Sequence, residues 1–296
     1  MPRFYELNAG SITIDGMDIR ELTLTSLRKN IGIVQQDVFL FSGTIRSNIL
    51  LRKEDVTDEQ VMEACRYVNA DHFIDKMKKG DIPADDFLYE MALEATELFR
   101  DPSFWRELRD KYLPEICRTP DCKIWMPGVT SGDELYTMGI VLSEANLQNK
   151  ASINVYCPSQ RHIDLIKNGV GYDPKKIEIS EANYTRYVGK SQFASYYKLV
   201  DNKSVMNLNL LNNVTIEKDN ILNSSESKKY KMVIYRNTLL QFNIPLYEKI
   251  IRKLVDSLVV GGYLIIGNME TLEYSETGKK LQIVNANEKI YKKRID

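Results

Sequence analysis

Polar and apolar positions change period several times along the chain, and each change marks an element. Ser11-Ile12-Thr13-Ile14 alternates with a period of two and then meets Asp15-Gly16, a strand running into a hairpin turn. Ile31 to Val34 reads as a second short apolar strand. Thr57-Asp58-Glu59-Gln60 has the form of a capping box, in which the hydroxyl and the amide side chain satisfy each other's orphan backbone N–H groups. It predicts a helix to about Tyr67 with Val61, Met62 and Cys65 on apolar positions. Lys76 to Asp86 is charged and interrupted by Gly80 and Pro83, the pattern of a linker.

Beyond the linker, helical and strand periods alternate. Helices are predicted over Ala84–Phe99, Pro102–Lys111, Glu134–Asn146 and Pro245–Leu258, the last with Leu246, Ile250, Ile251, Leu254 and Leu258 on one face. Strands are predicted over Lys123–Trp125, Ser152–Tyr156, Tyr230–Tyr235 and Tyr263–Ile266, and Leu281–Lys292 reads as a terminal hairpin. Strands alternating with helices imply an α/β fold with a mostly parallel sheet covered on both faces. The expected organisation is a segment over 1–80, a linker at 81–87, and a larger domain over 88–296.

Composition narrows the class. The 296 residues are 43% hydrophobic and 27% charged, enough apolar material for a sizeable core. Forty Lys and Arg stand against 41 Asp and Glu, a formal charge of −1, so no nucleic-acid partner drawn by a strong positive field is expected. Cys65, Cys117, Cys122 and Cys157 are read as thiols of a reducing compartment rather than a disulfide framework. Cys117 and Cys122 have no second close pair, and His72 and His162 sit near no ligand cluster, so no metal site is expected. The longest apolar stretch, around Leu254 to Ile266, is too short and interrupted to span a bilayer, and no secretory segment opens the chain. A cytoplasmic protein is expected, not integral to the membrane. Oligomeric state is not encoded in these patterns.

Two family resemblances follow from local motifs. Arg3-Phe4-Tyr5-Glu6, Gly10 to Gly16, Ile31-Gly32-Ile33-Val34-Gln35-Gln36-Asp37 and Leu40 to Ile49 together resemble the nucleotide-binding domain of ABC transporters, with Gln36 at the position of that family's Q-loop glutamine. A phosphate-cradling G-x-x-x-x-G-K-[ST] loop would lie before Met1, and the later motifs of that family do not follow. Gly189-Lys190-Ser191 mimics the end of such a loop, but Tyr184 stands where its first glycine belongs. This partial α/β segment is therefore not expected to hydrolyse ATP.

From about residue 86 onward the chain resembles the CheR-type chemotaxis receptor methyltransferases. The resemblance rests on Thr96-Glu97-Leu98-Phe99-Arg100-Asp101-Pro102-Ser103-Phe104, on Ile124 to Tyr136, on Tyr235-Arg236-Asn237-Thr238-Leu239, and on Gly261 to Gly267. It implies a Rossmann-like sheet, S-adenosylmethionine (SAM) as cofactor, and methyl transfer to glutamates of a chemoreceptor-type protein, which can itself be membrane-bound. The residues that match the family's site are Thr96, Arg100, Gly128, Ser131, Gly132, Glu134, Asn220, Ile221, Arg236 and Asn237, with Cys157 at an acidic position.

Each residue also has a plainer reading. Gly128 and Gly132 would admit a cofactor close to the backbone, or simply form a tight turn, since Ser131-x-x-Glu134 is itself a capping box. Arg100 is the catalytic candidate because a guanidinium can grip a carboxylate in a bidentate fork, or it pairs with Asp101 or Glu97 at the surface. Asn220 and Arg236-Asn237 line a pocket or close turns. Phe193, Tyr196 and Tyr197 match an aromatic run in the family's inserted antiparallel subdomain, placed at about 181–213, and are read first as the packed face of a short helix.

Departures from the family pattern bear on activity. Cys157 stands where the family has a carboxylate that accepts from the ribose hydroxyls, and a thiol is a weak acceptor. Gln241 replaces an aromatic hydroxyl, and Glu94 replaces an asparagine. The functional expectation is glutamate O-methylation, weakened by these changes, with a non-catalytic binding or scaffolding module as the alternative.

Overall fold

The computed structural model describes residues 10–29, 45–50, 55–68, 70–72, 75, 85–86, 89, 96–119, 121–222 and 229–294. The strand expected at Ile31 to Val34, Gln36, Glu94 and the side chain of Gln241 lie outside what is described. The chain forms two compact units, Met1–Phe39 and Leu40–Asp296.

In the first unit β1 (Thr13–Ile14) and β2 (Met17–Asp18) pair antiparallel. Asp15 and Gly16 both take positive φ, 50° and 82°, the conformation a two-residue hairpin turn requires and Asp-Gly supplies. A short helix, α1 (Leu24–Lys29), follows.

The second unit begins with α2 (Ile45–Leu50) and α3 (Asp58–Tyr67). The predicted capping box forms: Gln60 N–H donates to Thr57 Oγ1 and Thr57 N–H to Gln60 Oε1, at 3.4 and 3.0 Å. Val61 and Cys65 pack on Ile49, Leu50, Val56 and Ala70. Of residues 81–87, only Asp85 and Asp86 are described, and both are helical.

The remainder builds a seven-stranded sheet and its covering helices. In chain order come α4 (Pro102–Glu107), a π-helical turn (Leu108–Tyr112), α5 (Leu113–Ile116), β3 (Cys122–Met126), α6 (Asp133–Glu144), β4 (Ala151–Cys157) and α7 (Gln160–Lys167). Then follow β5 (Val170–Tyr172), α8 (Pro174–Tyr187), β6 (Tyr197–Val200), β7 (Lys203–Met206) and β8 (Val214–Lys218). The last elements are β9 (Tyr230–Ile234), α9 (Ile244–Asp256), β10 (Leu258–Ile265), β11 (Gln282–Asn285) and β12 (Ile290–Lys292).

Strand order is β11-β12-β10-β9-β3-β4-β8. The five strands from β10 to β8 run parallel, and β11 and β12 form the expected antiparallel hairpin. Strand period sorts the core onto two faces. Ile124, Met126, Ile153, Val155, Met232, Ile234 and Ile265 face one layer with Leu135, Met138 and Leu142 of α6. Trp125, Tyr156, Val233, Leu264 and Ile266 face the other with Ile250, Ile251 and Leu254 of α9.

Four expectations are corrected. The helix placed over Ala84–Phe99 does not reach its end, because Thr96 to Arg100 is a turn in which Phe99 has φ 57° and Asp101 φ 58°. A buried site fixes this strained backbone: Phe99 is fully enclosed, packs on the rings of Tyr184 and Tyr187, and donates its N–H to Thr137 Oγ1 at 3.0 Å. Leu258 opens β10 rather than ending a helix, since α9 stops at Asp256. Cys117 and Cys122 form a disulfide, contrary to the reading of all cysteines as thiols, because the end of α5 and the start of β3 bring their Cα atoms to 5.1 Å. The antiparallel subdomain has order β5-β7-β6, so one of its strands lies ahead of residue 181. Within it, Phe193–Tyr196 is a single 3-10 turn with Phe193 and Tyr196 buried.

Candidate active site

A cavity of about 240 Å³ lies beyond the carboxyl ends of β3, β4, β8 and β9, where an open α/β sheet receives ligands. Its walls are Pro127, Gly128 and Thr130 after β3, Pro158 after β4, Asp219 to Leu222 after β8, and Tyr235, Thr238 and Phe242 after β9. Gly128 is required by close approach: a Cβ there would stand 2.7 Å from Cε2 of the Tyr235 ring. Asn220 does two jobs, lining the cavity while its Oδ1 accepts the Leu222 N–H at 2.9 Å. Ile221 lines the cavity and anchors in the α9-side core.

The Thr96–Arg100 turn is fastened to the loop that follows β3. Thr96 Oγ1 lies 3.0 Å from Ser131 Oγ and donates to the fully buried carboxylate of Asp133, which Lys176 Nζ also approaches at 3.2 Å. The capping box read at Ser131–Glu134 is therefore not formed. Gly132, in the left-handed region at φ 83°, is the residue before α6; the Ser131 hydroxyl faces Thr96, and the Glu134 carboxylate turns to Arg236.

Arg236 joins three segments. Its guanidinium donates to Glu134 Oε1 at 2.9 Å and to Asp101 Oδ2 at 2.5 Å, and lies over the Phe104 ring at 4.3 Å. Burial raises the Glu134 carboxyl above its ordinary range, and the charges of Arg236 and Arg100 pull against that rise. Arg100 thus stands in electrostatic reach of Glu134, while its backbone carbonyl accepts the Trp105 indole N–H at 2.8 Å.

Asn237 takes the left-handed conformation at φ 59°, and the buried Glu270 carboxylate organises its loop. Glu270 accepts the N–H groups of Asn237, Leu239 and Gly267 at 3.0, 2.6 and 2.5 Å. Cys157 is buried and is not among the residues that line the cavity. Its thiol donates to the Ser159 carbonyl at 3.5 Å, and burial raises it to about 11, so it stays neutral at physiological pH.

The structure thus forms two bonded groups, Thr96 with Ser131 and Asp133, and Arg236 with Glu134 and Asp101, and sets Arg100 in electrostatic reach of Glu134. Gly128, Asn220 and Ile221 line the cavity, and Cys157 belongs to none of these. Sequence reasoning missed Tyr235, Asp219, Asp133 and Glu270. Tyr235 and Asp133 lie inside the motif stretches quoted above and Asp219 precedes Asn220, which was the available signal; Glu270 had none. Among the described residues no group of three or more His, Cys, Asp or Glu could hold a metal ion, and no helix is long and apolar enough to cross a membrane.

Residues 94–290 match the family model for the CheR methyltransferase SAM-binding domain. The chain belongs to the CheR methyltransferase family. It is 27% identical over 206 residues to the protein named "Putative methyltransferase Cher3" of Pseudomonas putida KT2440, a match covering 70% of this chain and 75% of that protein. A separate 80-residue match, 52% identical, is to the ABC transporter ATP-binding protein YfiC of Bacillus subtilis 168; it covers 27% of this chain and 13% of that protein. Among solved structures, the N-methyltransferase NodS from Bradyrhizobium japonicum WM9 is 14% identical with a TM-score of 0.33, covering 66% of this chain and 99% of that one. In this CheR-family chain the cavity fits a nucleoside: Tyr235, Phe242, Ile221 and Pro127 offer apolar walls for a base, and Thr130, Asn220 and Asp219 offer polar groups.

Proposed function

We propose that this chain methylates glutamate side chains of chemoreceptor-type proteins, using SAM. The supporting observation is the fastening of the Thr96–Arg100 turn onto Ser131 and Asp133, directly after the cavity-lining Thr130, with Arg100 in electrostatic reach of Glu134. When bound, the cofactor supplies an electrophilic methyl group on a sulfonium. Gly128, Asn220, Ile221 and Tyr235 hold its nucleoside, and Glu134, fixed by Arg236, serves the charged amino acid end. Arg100 grips the acceptor carboxylate and aims one oxygen at the methyl carbon. A glutamate is ionised at neutral pH, so the residues need only align the reactants and exclude water, and no general base is called for. A membrane-bound acceptor is compatible with this reading.

Calorimetric titration with S-adenosylhomocysteine (SAH) tests it, followed by transfer of a radiolabelled methyl group to receptor peptides. Micromolar SAH binding, lost in Gly132 or Asn220 variants, together with base-labile label on glutamates, is the expected result. Absence of heat at millimolar SAH from a folded protein overturns it.

The buried neutral thiol of Cys157 favours a second reading, a non-catalytic module with a degenerate pocket. That reading expects no SAH binding by the chain as it stands and recovery in Cys157→Asp. Binding without the substitution refutes it.

A further inference from the structure

The carboxylate missing at Cys157 has a neighbour one strand away. Cys157 and Lys218 are register partners at the ends of β4 and β8, and the next residue, Asp219, donates its N–H to the Cys157 carbonyl at 3.2 Å. Asp219 is half-buried and is the carboxylate among the cavity-lining residues. Its Oδ1 accepts the Asn220 N–H at 2.7 Å, which orients the group at the cavity wall.

Two nearby ammonium groups direct their hydrogen bonds to other acceptors, although the Lys253 charge also acts on Asp219. Lys218 pairs with Asp85 at 2.7 Å, and Asp85 also accepts the N–H groups of Gln160 and Arg161 at 2.7 and 3.2 Å and the Ser159 hydroxyl at 3.2 Å. Lys253 donates to the Ile221 and Leu222 carbonyls at 2.9 and 2.7 Å. Asp85 is itself surrounded by these four donors, so it holds the ends of β4 and β8 in place.

We infer that Asp219 is the cofactor-binding carboxylate of this chain, receiving the hydrogen-bond donors of the bound nucleoside in place of the strand-end acid lost at Cys157. This rests on the SAM-binding reading above. The donors are the vicinal ribose hydroxyls or the exocyclic amine of the base; a carboxylate serves either through charge-assisted hydrogen bonds.

The test is calorimetric titration of the full chain and Asp219→Asn with SAH, its 2′-deoxy analogue and its inosine analogue. The amide preserves an acceptor for the Asn220 N–H but removes the charge. Asp219→Asn should bind SAH about 10- to 150-fold more weakly, the range for loss of one charged hydrogen bond. The unaltered chain should discriminate against one analogue, and Asp219→Asn should lose that discrimination. Loss against the 2′-deoxy analogue assigns the hydroxyls, and loss against the inosine analogue assigns the amine. Unchanged SAH affinity in Asp219→Asn overturns the assignment, as does weakened binding with discrimination intact. No SAH binding by the unaltered chain overturns the cofactor reading and this assignment together, whereas binding that ignores Asp219 overturns the assignment alone.

Discussion

Replacing Arg236 by methionine should loosen the site and move its pH response together. The side chain is fully buried, so the variant deletes two charge-assisted hydrogen bonds, to Asp101 at 2.5 Å and Glu134 at 2.9 Å, and leaves both carboxylates behind. A hydrogen bond to a charged group is worth about 1.5–3 kcal/mol. Those carboxylates retain 28% and 23% exposure, so water replaces part of what is lost. Methionine keeps some packing on Phe104 but not the cation–π attraction, itself about 0.5–2 kcal/mol. A net loss of about 2–4 kcal/mol follows, which for a domain of this size is about 5–15 °C in Tm. The electrostatic consequence has a definite sign. Burial already raises the Glu134 carboxyl, Arg236 opposes the rise, and removing Arg236 must raise it further. If ionised Glu134 holds the amino acid end of the cofactor, SAH affinity falls as Glu134 protonates, so its acid limb should move to higher pH. Differential scanning calorimetry and SAH titrations from pH 5 to 8 read both effects. A Tm within about 2 °C of the unaltered chain, with the acid limb unmoved, would refute the assignment of Arg236 as the joint of the site.

Three other outcomes are expected. Glu144, 1% exposed, accepts from Tyr184, Tyr196, the Lys190 backbone and Arg109, so Glu144→Ala should cost about 3–5 kcal/mol in urea unfolding, and a loss below about 1 kcal/mol would count against the network. Gly128→Ala should push the Tyr235 ring into the cavity, weakening SAH binding at least about tenfold with a stability loss of about 1–3 kcal/mol; full affinity would mean Tyr235 does not wall the site. Lys218 and the Gln160 N–H hold Asp85 well below the usual carboxylate range, so its contribution is complete above about pH 4 and lost as acid protonates it. Hydrogen-exchange protection factors at Gln160 and Arg161 should fall as the pH drops below that value in the unaltered chain and be low throughout in Asp85→Asn; equal protection in both proteins would dismiss the clamp.

Much of the architecture was legible because local periods and tertiary burial agree. The strand predicted over Lys123–Trp125 formed within β3, where Ile124 and Trp125 fill opposite layers, and Ile250, Ile251 and Leu254 lie on one helical face. The Thr57–Gln60 box formed because its partners are three residues apart and need nothing from the rest of the chain. The same pattern at Ser131–Glu134 failed because stronger partners arrive from a distance: Thr96 for Ser131, and Arg236 for Glu134. Helix propensity ran through Thr96 to Phe99, but burying Phe99 against Tyr184 and Tyr187 imposed a left-handed residue there.

While β8, α7 and α8 went unread, the sequence by itself determined four parallel strands of the sheet, β3, β4, β9 and β10, with the terminal hairpin and the helices α6 and α9. Those depend on side-chain period and on short-range hydrogen bonding, which are written locally. Only the tertiary structure decided which charges meet. Glu134 turns from its own helix end to Arg236, Asp85 crosses from the flank to hold Gln160 and Lys218, and Asp219 comes to stand beside the neutral Cys157. Such pairings are set by strand order and register, because neighbours in the sheet are remote in the chain, and a buried charge takes whichever partner the packing brings within reach.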